Sequence, residues 1–172
     1  MTLLIFFLLL IVLVLAGTAA WAGWRAAPWA PTFKADTGRF LKLANIKPGQ
    51  KVYDLGCGDG RLVLASAQAG GEAVGFEISL VPYFVAKWRV FRSPFKKQCQ
   101  IRFKDFWRVD LSEADIVYFF LMPKIFSKMK AKLERELKPG AKVIIYTWPM
   151  DGWQPLVVDS PTGKTPIYVY QR

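Results

Sequence analysis

Histidine is absent from the 172 residues of this chain. That excludes an HExxH zinc site, a Ser-His-Asp triad and any imidazole general base. Cysteine is scarce: Cys57 and Cys99 match no zinc or redox spacing and give no disulfide framework, which fits a reducing compartment. Charge is missing from Thr2 to Trp24, "TLLIFFLLLIVLVLAGTAAWAGW", a run long enough for the ~20 helical residues that cross a bilayer core. Internal repeats and low-complexity tracts are also lacking. The length, with 53% apolar and 15% aromatic residues, suits one domain with a real core and not two.

Acids are outnumbered 13 to 24 by Lys and Arg, a formal charge of +11. Such an excess suits nucleic acid, an anionic membrane surface or an acidic partner. The apolar start favours the membrane surface. Trp21, Trp24 and Trp29 cluster at its C-terminal end, where interfacial aromatics sit. A cleaved signal peptide is the competing reading; "AGTAA" offers small residues, but no Lys or Arg precedes the apolar run. After it come Arg25, Lys34, Arg39, Lys42 and Lys47 against the single acid Asp36. The positive-inside bias therefore predicts a single-pass anchor over 1–24 in the cell membrane, with the rest of the chain on the cytoplasmic side.

"RAAPWAPTFKAD" leaves the membrane as a linker over 25–35, where Pro28 and Pro31 discourage a continuous helix. One domain follows over 36–172. Asp36 or Thr37 is expected to cap a short helix running to about Asn45. From there strand and helix alternate. "KVYDL", "EAVGFEI", "CQIRFKD", "ADIVYFFLM" and "AKVIIYTW" read as strands, separated by "RLVLASAQAG", "LVPYFVAKWRVF" and the basic amphipathic "PKIFSKMKAKLERELKPG" as helices. The tail "QPLVVDSPTGKTPIYVY" reads as an antiparallel hairpin at a sheet edge. The expected fold is a doubly wound, mostly parallel α/β sheet of seven strands, preceded by one transmembrane helix.

In such a sheet the ligand lies at the C-terminal ends of the strands. Gly56, Gly58 and Gly60 form the turn after the first strand, spaced G-x-G-x-G, with Cys57 as a small filler of the loop. The dinucleotide fingerprint is G-x-G-x-x-G, and a P-loop needs Gly-Lys-Ser/Thr; neither is present. Asp59 puts a carboxylate where a pyrophosphate would go, and Asp54 stands just ahead. Both acids suit a cationic, phosphate-free ligand. Glu77 ends the second strand about twenty residues on, the place of an acid that accepts ribose hydroxyls. Asp105 can accept from an adenine amino group, with Phe106 or Trp107 as a stacking face. A nucleoside with a positive charge and no phosphate is S-adenosyl-L-methionine. Each residue has a plainer reading: Asp54 as a loop cap, Asp59 as a helix N-terminal acid, Asp105 as a turn former. Arg61 reads as structural.

"VYDLGCGDGR", "GFE" and "KDFW" resemble the motifs of class I S-adenosylmethionine-dependent methyltransferases. "FFLMPKIFSKMKAKLERELKPGAKVIIYTWPM" resembles a narrower group, the small membrane-anchored protein-lysine methyltransferases whose mitochondrial members modify the c-subunit of ATP synthase and the adenine nucleotide carrier. The resemblance covers roughly 28–153. It implies a lysine substrate on a membrane protein. It also implies that Pro31 and Thr32 close over the cofactor, and that the carbonyls of Leu121 and Met122 with the ring of Pro123 face the methyl group. Tyr118, Phe119, Tyr146 and Trp148 are candidates for an aromatic slot around the acceptor amine, with ordinary core as the plainer reading, favoured for Tyr118; Phe119 is also placed with the cofactor set. Lys124, Lys128, Lys130, Lys132, Arg135 and Lys138, with Lys96 and Lys97, form a solvated basic face or one that meets anionic lipid. No metal and no nucleic-acid partner are expected. The alternatives are a methyltransferase for a small molecule or lipid headgroup, and a cofactor-binding assembly factor without turnover.

Overall fold

Val52, Tyr53, Asp54 and Leu55 are buried in strand β1 (Lys51–Leu55), which lies inside a seven-stranded sheet. A computed structural model of the chain describes residues 1–27 and 29–172, and of Lys34 the backbone alone. The break expected at Pro28 lies outside the described residues. In chain order the elements are α1 (Thr2–Arg25), α2 (Lys34–Ala44), β1, α3 (Arg61–Gln68), β2 (Glu72–Glu77), α4 (Leu80–Arg92), β3 (Cys99–Phe103), β4 (Ile116–Phe119), α5 (Phe126–Glu136), β5 (Lys142–Tyr146), β6 (Val157–Asp159) and β7 (Ile167–Gln171). Short 3-10 turns occupy Phe106–Arg108 and Pro123–Ile125.

The strands run in the order β3-β2-β1-β4-β5-β7-β6. β1 pairs in parallel with both β2 and β4, so the chain switches direction across the sheet at β1. β7 runs antiparallel to β5, and β6 pairs antiparallel with β7 at the edge, as the hairpin pattern predicted. Period-two alternation sorts side chains to two faces. Tyr53, Leu55, Val117, Phe119 and Ile145 pack under α5, while Val52, Ile116, Tyr118 and Ile144 pack under α2, α3 and α4. On α5, Phe126, Met129 and Leu133 repeat at helical spacing and are buried. Truncating a fully buried Leu such as Leu133 to Ala costs about 2–5 kcal/mol.

Two local expectations are corrected. Asp36 and Thr37 do not cap α2; the helix starts at Lys34, and the buried Asp36 carboxylate instead accepts from Arg39 Nη1 at 2.8 Å and from the Tyr146 hydroxyl. These two donors outweigh the burial that would raise its pKa and hold Asp36 below the usual carboxylate value. Lys132 does not belong to an outward basic face: it is buried, and its ammonium donates to the Val109 carbonyl and to Glu136, both at 2.6 Å. The apolar N-terminal helix runs one residue beyond its uncharged stretch, to Arg25.

Almost all of α1 is exposed, and only its C-terminal end touches the domain. The Thr18 hydroxyl accepts from the Leu80 amide at 3.3 Å, and Arg25 reaches Asp105 at 2.6 Å. Lys124 Nζ donates to the Gly23 and Trp24 carbonyls, both at 3.1 Å, and so satisfies two of the acceptors that a helix leaves open at its C-terminus. The helix is about 36 Å long at 1.5 Å per residue, enough to span a ~30 Å hydrocarbon core.

Candidate active site

The G-x-G-x-G turn is built by backbone geometry that side chains resist. Gly56, Gly58 and Gly60 all have positive φ, at 80°, 53° and 74°. A Cβ on Gly60 would meet Ala86 of α4 at 3.0 Å, and one on Gly58 would meet the Trp29 indole at 2.8 Å. The turn is therefore pressed between α4 and the segment that follows α1.

Its amides are used inside the chain. Gly56 and Cys57 N–H both donate to the Phe76 carbonyl, Gly60 N–H to the Cys57 carbonyl, and Gly58 N–H to Glu77 Oε2 at 2.9 Å. A phosphate cradle needs such amides free. Here they are spent, which agrees with a ligand that carries no phosphate.

Glu77 is held by three amides. Besides Gly58, the amides of Ile78 and Ser79 each donate to Oε1 at 2.8 Å. The carboxylate is thereby fixed at the exit of β2. Asp54, one strand over, is buried and has no hydrogen-bonding or cationic partner among the described residues. Burial, then the nearby charges of Glu77 and Asp59, push its pKa well above the ordinary value. Asp59 differs: Arg61 Nη2 reaches it at 2.6 Å and Arg89 Nη1 at 2.7 Å. Burial alone would raise its pKa, but the Arg61 hydrogen bonds and both positive charges lower it. So the loop acid is already neutralised, and Asp54 is the carboxylate left without a counter-charge.

One cleft collects these groups. Asp54, Gly56, Cys57, Gly58, Asp59 and Glu77 line it, together with Pro31 and Thr32. Burial raises the Cys57 thiol well above its ordinary pKa, with the Asp54 and Glu77 charges adding to the effect, so it is no nucleophile. Thr32 is fastened twice. Its hydroxyl lies 2.7 Å from the Tyr118 hydroxyl, and its carbonyl accepts from Arg61 at 2.5 Å. Phe106 and Leu121 also line the cleft.

Other predicted positions lie elsewhere. Gly60 caps α3 behind the loop. Asp105 accepts from Arg25 and from the Trp107 amide, and borders an adjoining groove instead of this cleft. Phe119 is fully buried against Phe126. Met122 and Pro123 lie past the rim, where the Met122 carbonyl accepts from the Ile125 amide at 3.2 Å. Tyr146 sits behind Phe120, its pKa pushed up to about 12 by burial and by its bond to Asp36. Trp148 stacks on Phe120 at 6.0 Å and 30°.

Several lining residues escaped the sequence argument. Tyr118 and Arg61 read as structural, yet both reach the cleft. Ala22 and Ala26, at the end of α1, form part of its wall, and Trp29 and Phe120 its rim. The signal for Phe120 was present, since it follows the buried β4 run directly. Nothing in the sequence tied Ala22 to the glycine loop.

This sheet order, with an acid at the exit of β1 and another at the exit of β2 around a phosphate-free cleft, defines a class I S-adenosylmethionine-dependent methyltransferase. A solved structure of an RNA methyltransferase from Salinibacter ruber in complex with S-adenosyl-L-homocysteine superposes with a TM-score of 0.78 at 30% identity, covering 83% of this chain and 93% of that one. The ANTKMT methyltransferase domain matches residues 54–157. A protein-lysine N-methyltransferase of Saccharolobus islandicus is 33% identical over 148 residues, covering 83% of this chain and 92% of the relative. The ATP synthase c-subunit lysine N-methyltransferase of Rattus norvegicus is 31% identical over 137 residues; 80% of this chain aligns, but only 62% of the rat protein. The chain belongs to the ANTKMT methyltransferase-domain family of protein-lysine methyltransferases, and its cofactor is S-adenosyl-L-methionine.

The residues present fit that cofactor. The uncompensated Asp54 carboxylate suits a cationic group, the fixed Glu77 carboxylate suits ribose hydroxyls, and Phe106 offers an aromatic face in the same cleft.

Proposed function

We propose that this chain transfers methyl groups to a lysine side chain of a membrane-embedded protein, at the cytoplasmic surface of the cell membrane. Residues 1–24 serve as the anchor, 25–35 as the segment over the cofactor, and 36–172 as the methyltransferase domain. The observation that carries the reading is the wall shared by Ala22 and Ala26 of α1 with Asp54 and Glu77. The C-terminal end of a helix long and apolar enough to span a bilayer forms part of the wall of this cleft. An acceptor reaching that cleft is met at the membrane. The names of the relatives, one of which acts on the ATP synthase c-subunit, support the same substrate class.

The cofactor supplies an electrophilic methyl group on a sulfonium. Asp54 holds the cationic end of this ligand, Glu77 its ribose, and Phe106 its base. Pro31 and Thr32 cover the cleft, Thr32 fastened to Tyr118 and Arg61. Among the described residues no backbone amide bonds to the Leu121 carbonyl, so it is available to accept from the attacking amine and aim it. In-line transfer gains most of its rate from such alignment. The amine must first lose its proton, and a lysine has a pKa of ~10.4 in water. Burial beside Phe120 and Trp148 disfavours the charged form and brings that value down. Tyr146, buried behind Phe120, supports this slot instead of lining it. The basic side chains at Lys124, Lys128 and Lys130 turn to the protein itself: Lys124 to the Gly23 and Trp24 carbonyls, Lys128 over the Trp107 ring and Lys130 to the Asp151 carbonyl.

Mass spectrometry of membrane proteins from cells with and without the gene tests the proposal. A lysine carrying one to three methyl groups that loses them on deletion is the expected result. Label from methyl-tritiated cofactor appearing instead in RNA, lipid or a small molecule would overturn it.

A further inference from the structure

The outer face of α4 carries a stripe of large exposed apolar side chains. Val81, Phe84, Trp88 and Phe91 follow one another at helical spacing, and the last three are 61%, 60% and 74% exposed. The opposite face is spent on the fold, with Pro82, Ala86 and Val90 buried and Arg89 bonded to Asp59. A soluble domain gains nothing by keeping three large side chains in water along one stripe.

Two features say what covers this stripe. First, basic heads lie directly over the exposed rings. The Arg92 guanidinium sits 5.3 Å from the centre of Trp88, and the Lys96 ammonium 6.0 Å from that of Phe91. Aromatic rings with cations held over them are the side chains that settle at the boundary of headgroups and acyl chains. Second, the stripe continues onto α1. Phe84 touches Tyr83, Tyr83 touches Phe103, and Phe103 lines the groove that Val14 and Trp21 of α1 close on the other side. The Leu80 amide, where α4 begins, bonds to Thr18. Thr18 lies about one turn before Trp21 and two before Trp24, aromatics of the kind that settle at a membrane boundary, so it falls near one edge of a ~30 Å core. The start of α4 is therefore at the depth where that core ends.

We propose that the outward face of α4, continued by Phe103, rests in the headgroup layer of an anionic bilayer and sets the tilt of the domain on its anchor. The proposal rests on α1 spanning that bilayer. It assigns the lipid contact to α4, where the exposed apolar side chains are, in place of the basic α5. Through Arg89 and Asp59 the same helix also supports the glycine turn, so the membrane contact lies next to the cofactor cleft.

Trp88 reports on this directly. The full chain is reconstituted into vesicles of phosphatidylcholine with phosphatidylglycerol, with and without bromine on the acyl chains, beside the Trp88→Phe variant. Subtracting the two emission spectra isolates Trp88, whereas the variant still reports the other six tryptophans, Trp21 and Trp24 of α1 among them. The expected result is loss of the Trp88 component in brominated vesicles, protection of it from aqueous iodide, and weaker quenching when phosphatidylcholine is the only lipid. If the variant stays quenched by bromine while the Trp88 component is open to iodide, α1 is in the membrane and α4 is not, and the proposal falls alone. A Trp88 component shielded from both quenchers places a protein, such as a second copy of this chain, on the stripe and also overturns it. If neither protein floats with the vesicles, the anchor reading fails as well.

Discussion

Asp54 and Glu77 stand near the C-terminal ends of adjacent parallel strands and line one cleft, yet their environments are opposite: three backbone amides hold Glu77, and Asp54 has no partner among the described residues. The pair is a fixed acceptor beside an uncompensated charge. An uncompensated buried carboxylate costs stability in the free protein. It is kept where a bound cation offsets that cost.

Replacing Asp54 by Asn therefore has two effects of opposite sign. Because the folded pKa of Asp54 is raised, the folded state binds more protons than the unfolded one once pH exceeds ~3.9, and stability falls as pH rises above that value. Asp54→Asn removes this penalty. Thermal melts of the ligand-free protein should show a higher Tm for the variant at neutral pH, with the gap closing below about pH 4. Calorimetry should show the cofactor binding at least tenfold more weakly, since hydrogen bonds to charged groups contribute about 1.5–3 kcal/mol. A lower Tm for the variant at pH 7 would contradict the unpartnered state of Asp54.

Glu77 predicts the other pattern. Glu77→Ala strips the acceptors from the Gly58, Ile78 and Ser79 amides. Each buried amide left unpaired costs about 1–3 kcal/mol. Both stability and cofactor affinity should fall, and saturating cofactor should not restore the Tm.

Much of this was legible in the sequence, for identifiable reasons. Buried parallel strands are near-continuous apolar runs, so "VYDL" and "IVYFF" announced themselves, and positive φ at alternate positions of a tight turn forces the glycines of G-x-G-x-G. What depended on tertiary partners was not legible. Asp36 follows the linker like a cap, but a tyrosine from β5 claims its carboxylate. Lys132 sits in a basic run, yet the Val109 carbonyl draws it inward. Asp105 follows a strand like a site residue, but Arg25, eighty positions earlier, pairs with it. Thr147 adopts φ 84° with a β-branched side chain, which no local pattern predicts.

Acid should unfold the protein partly through Asp36. Its folded pKa lies below the ordinary value, so the stability it contributes is present above ~3.9 and is lost as pH falls through the folded value. Asp36→Asn should lower stability at pH 7 by about 1–3 kcal/mol, because the Tyr146 hydroxyl and Arg39 lose a charged acceptor. Urea melts at pH 7 and pH 3 should show the difference from wild type shrinking at the lower pH.

Gly58 and Trp29 are coupled by contact. At Gly58 a Cβ would meet the Trp29 indole at 2.8 Å, and φ is 53°. Gly58→Ala bears a clash and a backbone penalty, the latter about 1–2 kcal/mol. Trp29 is 51% exposed, so the clash can be relieved by moving or removing it. In the Gly58→Ala/Trp29→Ala double variant, only the backbone part should remain. Strict additivity of the two single losses in chemical melts would show that Trp29 does not rest on the turn.

Arg25 and Asp105 join the end of α1 to the exit of β3 at 2.6 Å, with side chains 28% and 18% exposed. At that exposure the pair is worth little by itself, about 0.2–1 kcal/mol in a double-mutant cycle. Its effect on the cleft should be larger than its effect on stability, because Ala22 and Ala26 flank Arg25 and form the wall beside Asp54 and Glu77. Arg25→Ala loosens the helix end, which Lys124 and the Met122 amide still hold, so part of the wall must be ordered again each time the cofactor binds. The expected outcome is a Tm within a few degrees of wild type with a several-fold weaker Kd for the cofactor in the full chain in vesicles. Asp105→Ala should give the same loss, and the double variant no further loss. Independent losses from the two substitutions would mean that Asp105 touches the cofactor itself and does not act through the end of α1.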